Sequence, residues 1–213
     1  MPELPEVETV RAGLASHVIG ALVKNIDVHD TRSLKRNFSG PDGFVNELTG
    51  ERLQAVIRRG KFLWLPITAT RAVVCHLGMS GQVFVRSKDF GEDKLTRVTV
   101  SLEKPSGEEI EMRFVDQRLF GGMQIDDLID TEDNAPAGYF PEGEGGSLIP
   151  KSVSHIARDL LDPNFDAGSV VSKMRRRNSG IKRVLLDQNL LSGIGNIYAD
   201  ESLWRSRLHY DKP

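Results

Sequence analysis

The sequence has 213 residues, of which 39% are hydrophobic, and its 28 basic and 30 acidic side chains give a formal net charge of −2. This length allows one large domain or two small ones with a real core, and the near-neutral charge does not by itself indicate a nucleic-acid-binding protein. The single cysteine excludes a disulfide framework and a four-cysteine zinc site within these residues, and no apolar run is long enough to span a membrane. The acidic, proline-containing start is unlike a signal peptide, so we expect a cytoplasmic protein.

The first predicted element is a helix that ends near Ile19. Pro5 suits the first turn of a helix, and Glu6 follows near the positive end of that helix. Apolar residues recur at helical spacing, at Val7, Val10, Leu14 and Val18. A strand over residues 23–29 and a short helix over residues 44–48 are predicted next.

Short β-like runs separated by turn residues fill the middle of the sequence. They are predicted over residues 52–58, 62–66, 72–76, 82–86, 96–102, 109–114 and 122–125. Closely spaced strands without intervening helices are typical of a β-sandwich or a barrel. Cys75 lies within one of these runs and is expected to be a buried, reduced thiol.

The last third of the sequence changes character. Residues 126–144 carry seven acidic and no basic side chains, and residues 131–150 are predicted to form a linker. A helix capped by Ser152 is predicted to run to about Leu161, followed by helices over residues 167–176, 181–191 and 197–205. The neutral average charge hides a basic segment, because residues 173–183 carry six basic and no acidic side chains.

The N-terminal residues supply the first chemical hypothesis. Removal of the initiator methionine, which a small second residue usually allows, leaves Pro2 with a free secondary amine. Such an amine attacks a carbon at the aldehyde level and forms a cationic iminium, an electron sink that eases elimination on the attached sugar. Glu3 beside it could donate or shuttle a proton. Considered by chemistry alone, a start of this composition is more typical of the beginning of a helix.

The run from Met1 to Arg11 resembles the N-terminal signature of the Fpg/Nei family of DNA glycosylases. The resemblance implies that Pro2 is the nucleophile, that Glu3 is its acid/base partner and that Glu6 helps to position the sugar. With Leu4, the run is more similar to formamidopyrimidine-DNA glycosylases than to endonuclease VIII.

Two further segments resemble parts of the same family. The segment 58–63, Arg-Arg-Gly-Lys-Phe-Leu, resembles a motif whose lysine, Lys61 here, contacts the phosphate beside the lesion and assists the chemistry. The segment 76–81, His-Leu-Gly-Met-Ser-Gly, resembles a DNA-binding loop that inserts Met79 into the space left by a flipped base, with His76 also at the DNA. Without the resemblance, Lys61 is a lysine at a β-turn and Met79 is a core residue.

The segment 116–121 resembles a loop that is more often written Asp-Pro-Arg-Arg-Phe-Gly. The resemblance implies that Arg118 pairs with the orphaned cytosine and that Phe120 wedges into the base stack. The sequence departs from the family pattern at Gln117 and Leu119, which affects loop stiffness and one phosphate contact but not the two reading residues.

The run from Leu186 to Glu201 resembles the family's helix-two-turns-helix motif. Its glycines allow backbone amides to approach an anion closely, and Asn196 is expected to cap the next helix, whose N-terminus favours phosphate. The DNA-binding residues predicted in this region are Lys182, Gly195, Asn196 and Tyr198.

These segments together predict an α+β protein. Residues 1–130 are expected to form a catalytic domain with an N-terminal helix and a two-layer antiparallel β-sandwich, residues 131–150 a linker, and residues 151–213 an incomplete helix-two-turns-helix domain. The family usually continues into a four-cysteine zinc finger, so no cofactor is predicted in this chain and a structural zinc is expected only in a longer form. The expected partner is damaged double-stranded DNA, without a membrane, bound by a monomer in the cytoplasm at the nucleoid. Without the finger, we expect this chain to trap abasic DNA weakly or not at all.

The resemblance predicts a bifunctional glycosylase and AP lyase of base excision repair that removes 8-oxoguanine and formamidopyrimidines opposite cytosine. The Pro2 amine displaces the base, and β- and δ-elimination then cut the strand. The sugar C1′ is shielded in a duplex, so the base must first be extruded. One alternative is an endonuclease VIII-like enzyme for oxidised pyrimidines, against which Arg118, Phe120 and Leu4 argue. The other is a non-catalytic fragment that binds damaged DNA.

Overall fold

The structure is a computed structural model that describes residues 2–143 and 146–212. Its helices and strands are, in chain order, α1 (Leu4–Val18), β1 (Leu22–Val28), a 3₁₀ turn (Thr31–Leu34), α2 (Gly40–Leu48), β2 (Ile57–Arg59), β3 (Phe62–Pro66), β4 (Arg71–His76), β5 (Gly81–Ser87), β6 (Thr96–Glu103), β7 (Glu109–Asp116), β8 (Gly122–Asp130), β9 (Leu148–Pro150), a 3₁₀ turn (Lys151–Val153), α3 (Ala167–Met174), α4 (Ile181–Leu185) and α5 (Asn196–Arg205).

Two antiparallel sheets form the N-terminal part. One has the strand order β1-β6-β7-β5 and the other the order β2-β3-β4-β8-β9. One buried cluster joins the two sheets with α1 and α2, and it includes Val7, Phe44, Leu63, Val73, Val100 and Phe114. The prediction of an α+β protein with a helix and a two-layer antiparallel sandwich is therefore confirmed.

The second sheet is buried on both faces, which explains the continuous apolar run in β4. Val73 and Cys75 point into the main core, whereas Trp64 and Val74 belong to a second buried cluster on the other face. That cluster is closed by side chains from residues 137–156, which include Ile149 on β9. Much of the segment predicted as a linker, residues 131–150, thus packs against the sheet or pairs with it. The domain boundaries given by the sequence analysis remain a prediction.

Two predicted elements were wrong, and both errors involve long-range contacts. Residues 52–58 do not form a continuous strand: the Leu53 N–H donates to the Ala21 carbonyl, the Gln54 N–H donates to the Pro66 carbonyl, and the regular pairing with β3 begins only at Ile57. The helix predicted from Ser152 to Leu161 is also absent. There the chain makes a short 3₁₀ turn, and the fully buried Asp159 carboxylate then accepts hydrogen bonds from elsewhere in the fold.

The C-terminal part consists of α3, α4 and α5 around a small core of Leu191, Ile194 and Ala199. The helix predicted over residues 181–191 ends at Leu185, because the carboxylate of Asp187 accepts the Asn189 N–H and organises a turn. Within the described ranges, no helix is both long enough and apolar enough to cross a bilayer.

A buried ion-pair network fastens the C-terminal part to the sandwich. The Arg58 side chain is fully buried and pairs with Asp159 at 2.6 Å and with Glu8 of α1 at 2.8 Å. Asp159 also accepts the backbone N–H of Gly60 at 2.7 Å, next to the predicted lysine Lys61. The turn between β2 and β3 is therefore held in place by the chain segment that leads into the helical part.

Candidate active site and nucleic-acid interface

Glu3 lies at the junction of the two parts of the molecule. Its side chain is buried, and its carboxylate accepts backbone N–H groups from Gly195 at 2.7 Å, Ile197 at 2.9 Å and Tyr198 at 3.2 Å. These N–H groups belong to the first turn of α5 and have no acceptor within the helix. Glu3 is thus the cap of a helix that begins 193 positions later in the chain, at Asn196.

The prediction that Asn196 caps this helix was wrong. Gly195 occupies the N-cap position, and Asn196 is the first helical residue with an exposed side chain. A Cβ atom on Gly195 would lie 2.4 Å from the carboxyl carbon of Glu3, so the close approach requires glycine. The helix N-terminus that was expected to hold a DNA phosphate instead holds the predicted acid/base residue in this structure.

Lys61 reaches the same junction from the sandwich. It is 9% exposed, and its Nζ donates a hydrogen bond to the Ile194 carbonyl at 3.0 Å. Burial lowers the pKa of the Lys61 ammonium below its ordinary value, and the charge of the nearby Glu3 carboxylate opposes this shift. The half-buried Pro2 precedes Glu3 in the chain. The structure therefore brings Glu3 and Lys61 together at the turn formed by Ile194 and Gly195, with Pro2 adjacent to Glu3 in the chain.

Glu6 supports the start of α1. One oxygen of its carboxylate accepts the backbone N–H of Glu3 at 3.0 Å, which fixes the peptide that joins Pro2 to Glu3. The other role predicted for Glu6, positioning of the sugar, remains a prediction.

The predicted wedge residues lie at the surface. Met79 is 44% exposed and Phe120 is 46% exposed, so the interpretation of Met79 as a core residue was wrong. The Arg118 guanidinium lies over the Phe120 ring at 4.8 Å from its centre. The two side chains predicted to read the orphaned base and to wedge the stack are therefore adjacent and accessible.

A residue that the sequence analysis missed organises these loops. The fully buried Asp116 carboxylate accepts the Ser80 hydroxyl at 2.6 Å, the Arg118 N–H at 3.1 Å and the Gly121 N–H at 2.9 Å. A Cβ on Gly78 would lie 2.4 Å from the Gly121 nitrogen, so the two loops meet backbone to backbone. An aspartate just after a predicted strand, at the start of a loop that ends in Gly121, was the available signal, since such carboxylates commonly accept backbone N–H groups in turns.

His76 is held in one tautomer beside the lysine. Its Nδ1 accepts the Gly78 N–H at 3.2 Å, which leaves the proton on Nε2, and its ring lies 4.8 Å from the ring of Phe62. Burial, together with the charges of Arg36 and Lys61, lowers the pKa of His76 to about 4. At neutral pH His76 is therefore an uncharged hydrogen-bond donor.

His76→Gln is expected to leave the salt dependence of DNA binding unchanged, because a neutral imidazole releases no counterion when it contacts a phosphate. The lost hydrogen bond should weaken binding by about 0.5–1.5 kcal/mol.

Since the pKa of His76 falls from 6.5 in the unfolded chain to about 4 in the folded chain, the unfolded chain takes up the proton first as the pH drops. The parent should thus lose stability between these two values, and the variant should lose less. Binding isotherms at several salt concentrations and melting curves at several pH values measure both effects; a shallower salt slope for the variant would show that His76 is charged in the complex.

The remaining predicted DNA-binding residues lie around α4 and α5. Asn196 and Tyr198 are exposed, whereas Gly195 is buried. The Lys182 ammonium pairs with the Asp200 carboxylate at 2.7 Å, a partner that the sequence analysis did not anticipate. Its charge is therefore shared with a carboxylate, which makes Lys182 a weaker anchor for phosphate than an unpaired lysine.

The residues present do not fit the zinc site that the family resemblance implies for a longer chain. The one cysteine, Cys75, is buried in β4. Among residues 2–143 and 146–212, no group of three or more histidine, cysteine, aspartate or glutamate side chains is placed to hold a metal ion.

Family models match both parts of the chain. The family model for the formamidopyrimidine-DNA glycosylase N-terminal domain matches residues 1–123, and the model for the formamidopyrimidine-DNA glycosylase H2TH domain matches residues 156–213. The formamidopyrimidine-DNA glycosylase of Leifsonia xyli is 54% identical, over 100% of this chain and 71% of its own length. That of a Nocardioides species is 49% identical, over 100% of this chain and 66% of its own length.

Solved structures agree as well. Lactococcus lactis Fpg in complex with DNA that contains an abasic site superposes with a TM-score of 0.75 at 27% identity, over 99% of this chain and 69% of that one. A complex between an inhibited LlFpg and DNA that contains N7-benzyl-Fapy-dG gives a TM-score of 0.75 at 28% identity, over 99% of this chain and 70% of that one. On the matches of both family models and of these relatives, the chain belongs to the formamidopyrimidine-DNA glycosylase family.

Proposed function

We propose that this chain carries the catalytic groups of a bifunctional DNA glycosylase and AP lyase that removes oxidised purines, 8-oxoguanine and formamidopyrimidines, from duplex DNA. The observation that carries the proposal is the junction at which Glu3, next to Pro2 in the chain, and Lys61 both bond to the turn before α5. A nucleophilic amine, a carboxylate and a cation within one site are the groups that displacement of a base from a sugar requires.

In the proposed reaction, the Pro2 nitrogen forms a bond to C1′ as the bond between C1′ and the base breaks, and the departing base takes a proton from solvent. The Glu3 carboxylate takes up the proton that the Pro2 nitrogen loses and donates it to the ring oxygen as the bond between C1′ and that oxygen breaks, which leaves an iminium between C1′ and the Pro2 nitrogen. The iminium acidifies C2′, so loss of a C2′ proton expels the 3′ phosphate, and a second elimination expels the 5′ phosphate. Lys61 holds the phosphate beside the reacting sugar.

The exposed loops supply the second part of the proposal. Extrusion of a base leaves a space in the stack, which apolar side chains commonly fill in proteins that kink DNA. Met79 and Phe120 are accessible and rigidly supported, and Arg118 beside Phe120 offers paired donors to the orphaned cytosine. The related structures with abasic-site DNA and N7-benzyl-Fapy-dG DNA support this choice of substrate. We further infer that the protein acts as a monomer on nucleoid DNA in the cytoplasm.

A comparison of two lesions tests the proposal. Single-turnover excision from a duplex with 8-oxoguanine opposite cytosine should be faster than excision from a duplex with thymine glycol. The reverse order would instead favour an endonuclease VIII-like specificity. If no covalent adduct with abasic DNA forms after borohydride treatment, at protein concentrations that saturate the duplex, the chain binds damaged DNA without catalysing its cleavage.

Arg118→Ala is expected to lose the preference for cytosine opposite the lesion, by about 1–3 kcal/mol for a lost bidentate contact. Excision rates opposite cytosine and opposite adenine measure this preference. Met79→Ala serves as the matched variant on the neighbouring loop, and its melting temperature should stay at that of the parent, because Met79 is 44% exposed. An unchanged preference for the opposite base in Arg118→Ala would show that Arg118 does not recognise the cytosine.

A further inference from the structure

An unusual surface feature lies between β1 and α2, in residues 35–38, which we term the spur. Phe38 in the spur is fully exposed, at 105%, and is the most exposed of the large hydrophobic side chains in the described part of the chain. A solvent-exposed phenyl ring on a flexible loop carries little information, since single exposed apolar residues are common. The backbone that presents this ring, however, is tightly held.

The adjacent Asn37 fixes the spur to the sandwich. Its side chain is 6% exposed, and its Oδ1 accepts the backbone N–H of Ile125 on β8 at 2.8 Å. Its Nδ2 donates to the Gly40 carbonyl at 2.8 Å and to the Ser39 hydroxyl at 3.1 Å. A buried asparagine with three partners orders the turn, so Phe38 is presented on a rigid base. Rigid aromatic side chains lose little conformational entropy when they bind.

The charges beside Phe38 indicate what it faces. Lys35 and Arg36 are exposed, and neither forms an ion pair within residues 2–143 and 146–212. Arg36 lines a cavity of about 240 Å³ together with Phe62, His76, Gln124 and Ser152. Its charge also contributes to the lowered pKa of His76. The spur is therefore continuous with the face on which the predicted DNA-binding residue His76 lies.

We propose that the spur is an additional contact to the duplex that flanks the lesion, with Arg36 on a backbone phosphate and the Phe38 ring against the apolar face of a neighbouring deoxyribose. This inference rests on the proposed function, because it takes DNA as the partner. Unpaired cations beside an exposed aromatic ring match a sugar-phosphate backbone, which alternates charged and apolar surfaces. The contact reads no base, so it increases affinity without changing lesion preference.

The test measures binding of the full chain to a duplex with a central tetrahydrofuran abasic-site analogue and long arms, and to duplexes whose arms are shortened stepwise on one side or the other. Phe38→Ala should bind the long duplex about 5- to 20-fold more weakly. Its salt slope should match that of the parent, whereas Arg36→Gln should reduce the slope by about 0.9. Phe90→Ala is the matched control, because Phe90 is a half-exposed phenylalanine in the loop between β5 and β6.

When one of the two arms is too short to reach the spur, Phe38→Ala and the parent should bind the duplex with equal affinity. Equal affinities on the long duplex, or a penalty that persists however far both arms are trimmed, would overturn the inference. A lowered melting temperature for Phe38→Ala would also overturn it, by showing that the ring stabilises the fold. These outcomes are separate from a failure of the proposed function, which would appear as a parent protein without preference for the lesion duplex over an undamaged one.

Discussion

Replacement of Glu3 by glutamine is expected to slow excision of 8-oxoguanine by about 10²- to 10⁴-fold, the usual contribution of a positioned proton donor. The substitution preserves the size of the side chain but removes the transferable proton. Both carboxylate oxygens of Glu3 accept backbone N–H groups, so one of these positions becomes an NH₂ group that faces donors in the variant. We therefore also expect a loss of about 1–3 kcal/mol in the free energy of unfolding.

The two effects can be separated experimentally. Single-turnover excision is measured well below the melting temperature of Glu3→Gln, while binding to a tetrahydrofuran duplex shows that the interface remains intact. Glu6→Gln is an informative comparison, because the Glu6 carboxylate accepts the Glu3 N–H, a role that the glutamine carbonyl can retain. Excision by Glu3→Gln at the parent rate would exclude Glu3 as the proton donor.

Glu3 couples the start of α1 to the helical part of the molecule. Its carboxylate is held by the turn and first residues of α5, and the neighbouring Leu4 N–H donates to the Gly193 carbonyl at 3.0 Å. The backbone and the carboxylate at the start of α1 are therefore bonded to the helical part, while the rest of α1 packs on the sandwich. Any movement of α5 against the sandwich, including one caused by DNA, would shift the catalytic groups.

Most strands and the long helices could be predicted from the sequence, because their signals are local. The run over residues 62–66 is continuously apolar, as in a strand buried on both faces, and the structure has a strand at Phe62–Pro66. The helix predicted up to Ile19 ends one residue earlier, at Val18. In both elements the local pattern of apolar residues, continuous in the strand and periodic in the helix, matches what becomes buried, so nearby residues suffice for the prediction.

The features that failed depend on distant partners. Ser152 resembles a helix cap, but the buried Asp159 that follows it is required by Arg58 and Gly60, which lie about a hundred positions earlier in the chain. Asn196 likewise resembles a cap, but the cap is Glu3. Local capping rules cannot anticipate a carboxylate supplied by a remote segment. The exposure of Met79 followed only from family resemblance, because its residue type alone suggests a core position.

The largest effect is expected from blocking the Pro2 nitrogen. A form that retains the preceding methionine, or that carries an additional N-terminal residue, converts this nitrogen into a tertiary amide whose lone pair is delocalised, so it cannot form an iminium. Borohydride trapping on abasic DNA and strand cleavage should both fall to background, whereas binding to a tetrahydrofuran duplex, which offers no aldehyde carbon, should persist. The parent protein, checked by mass spectrometry for complete methionine removal, is the positive control. Full lyase activity in a preparation whose N-terminus is entirely blocked would show that another amine performs the reaction, and Lys61, with its lowered pKa, is then the first candidate to replace by alanine.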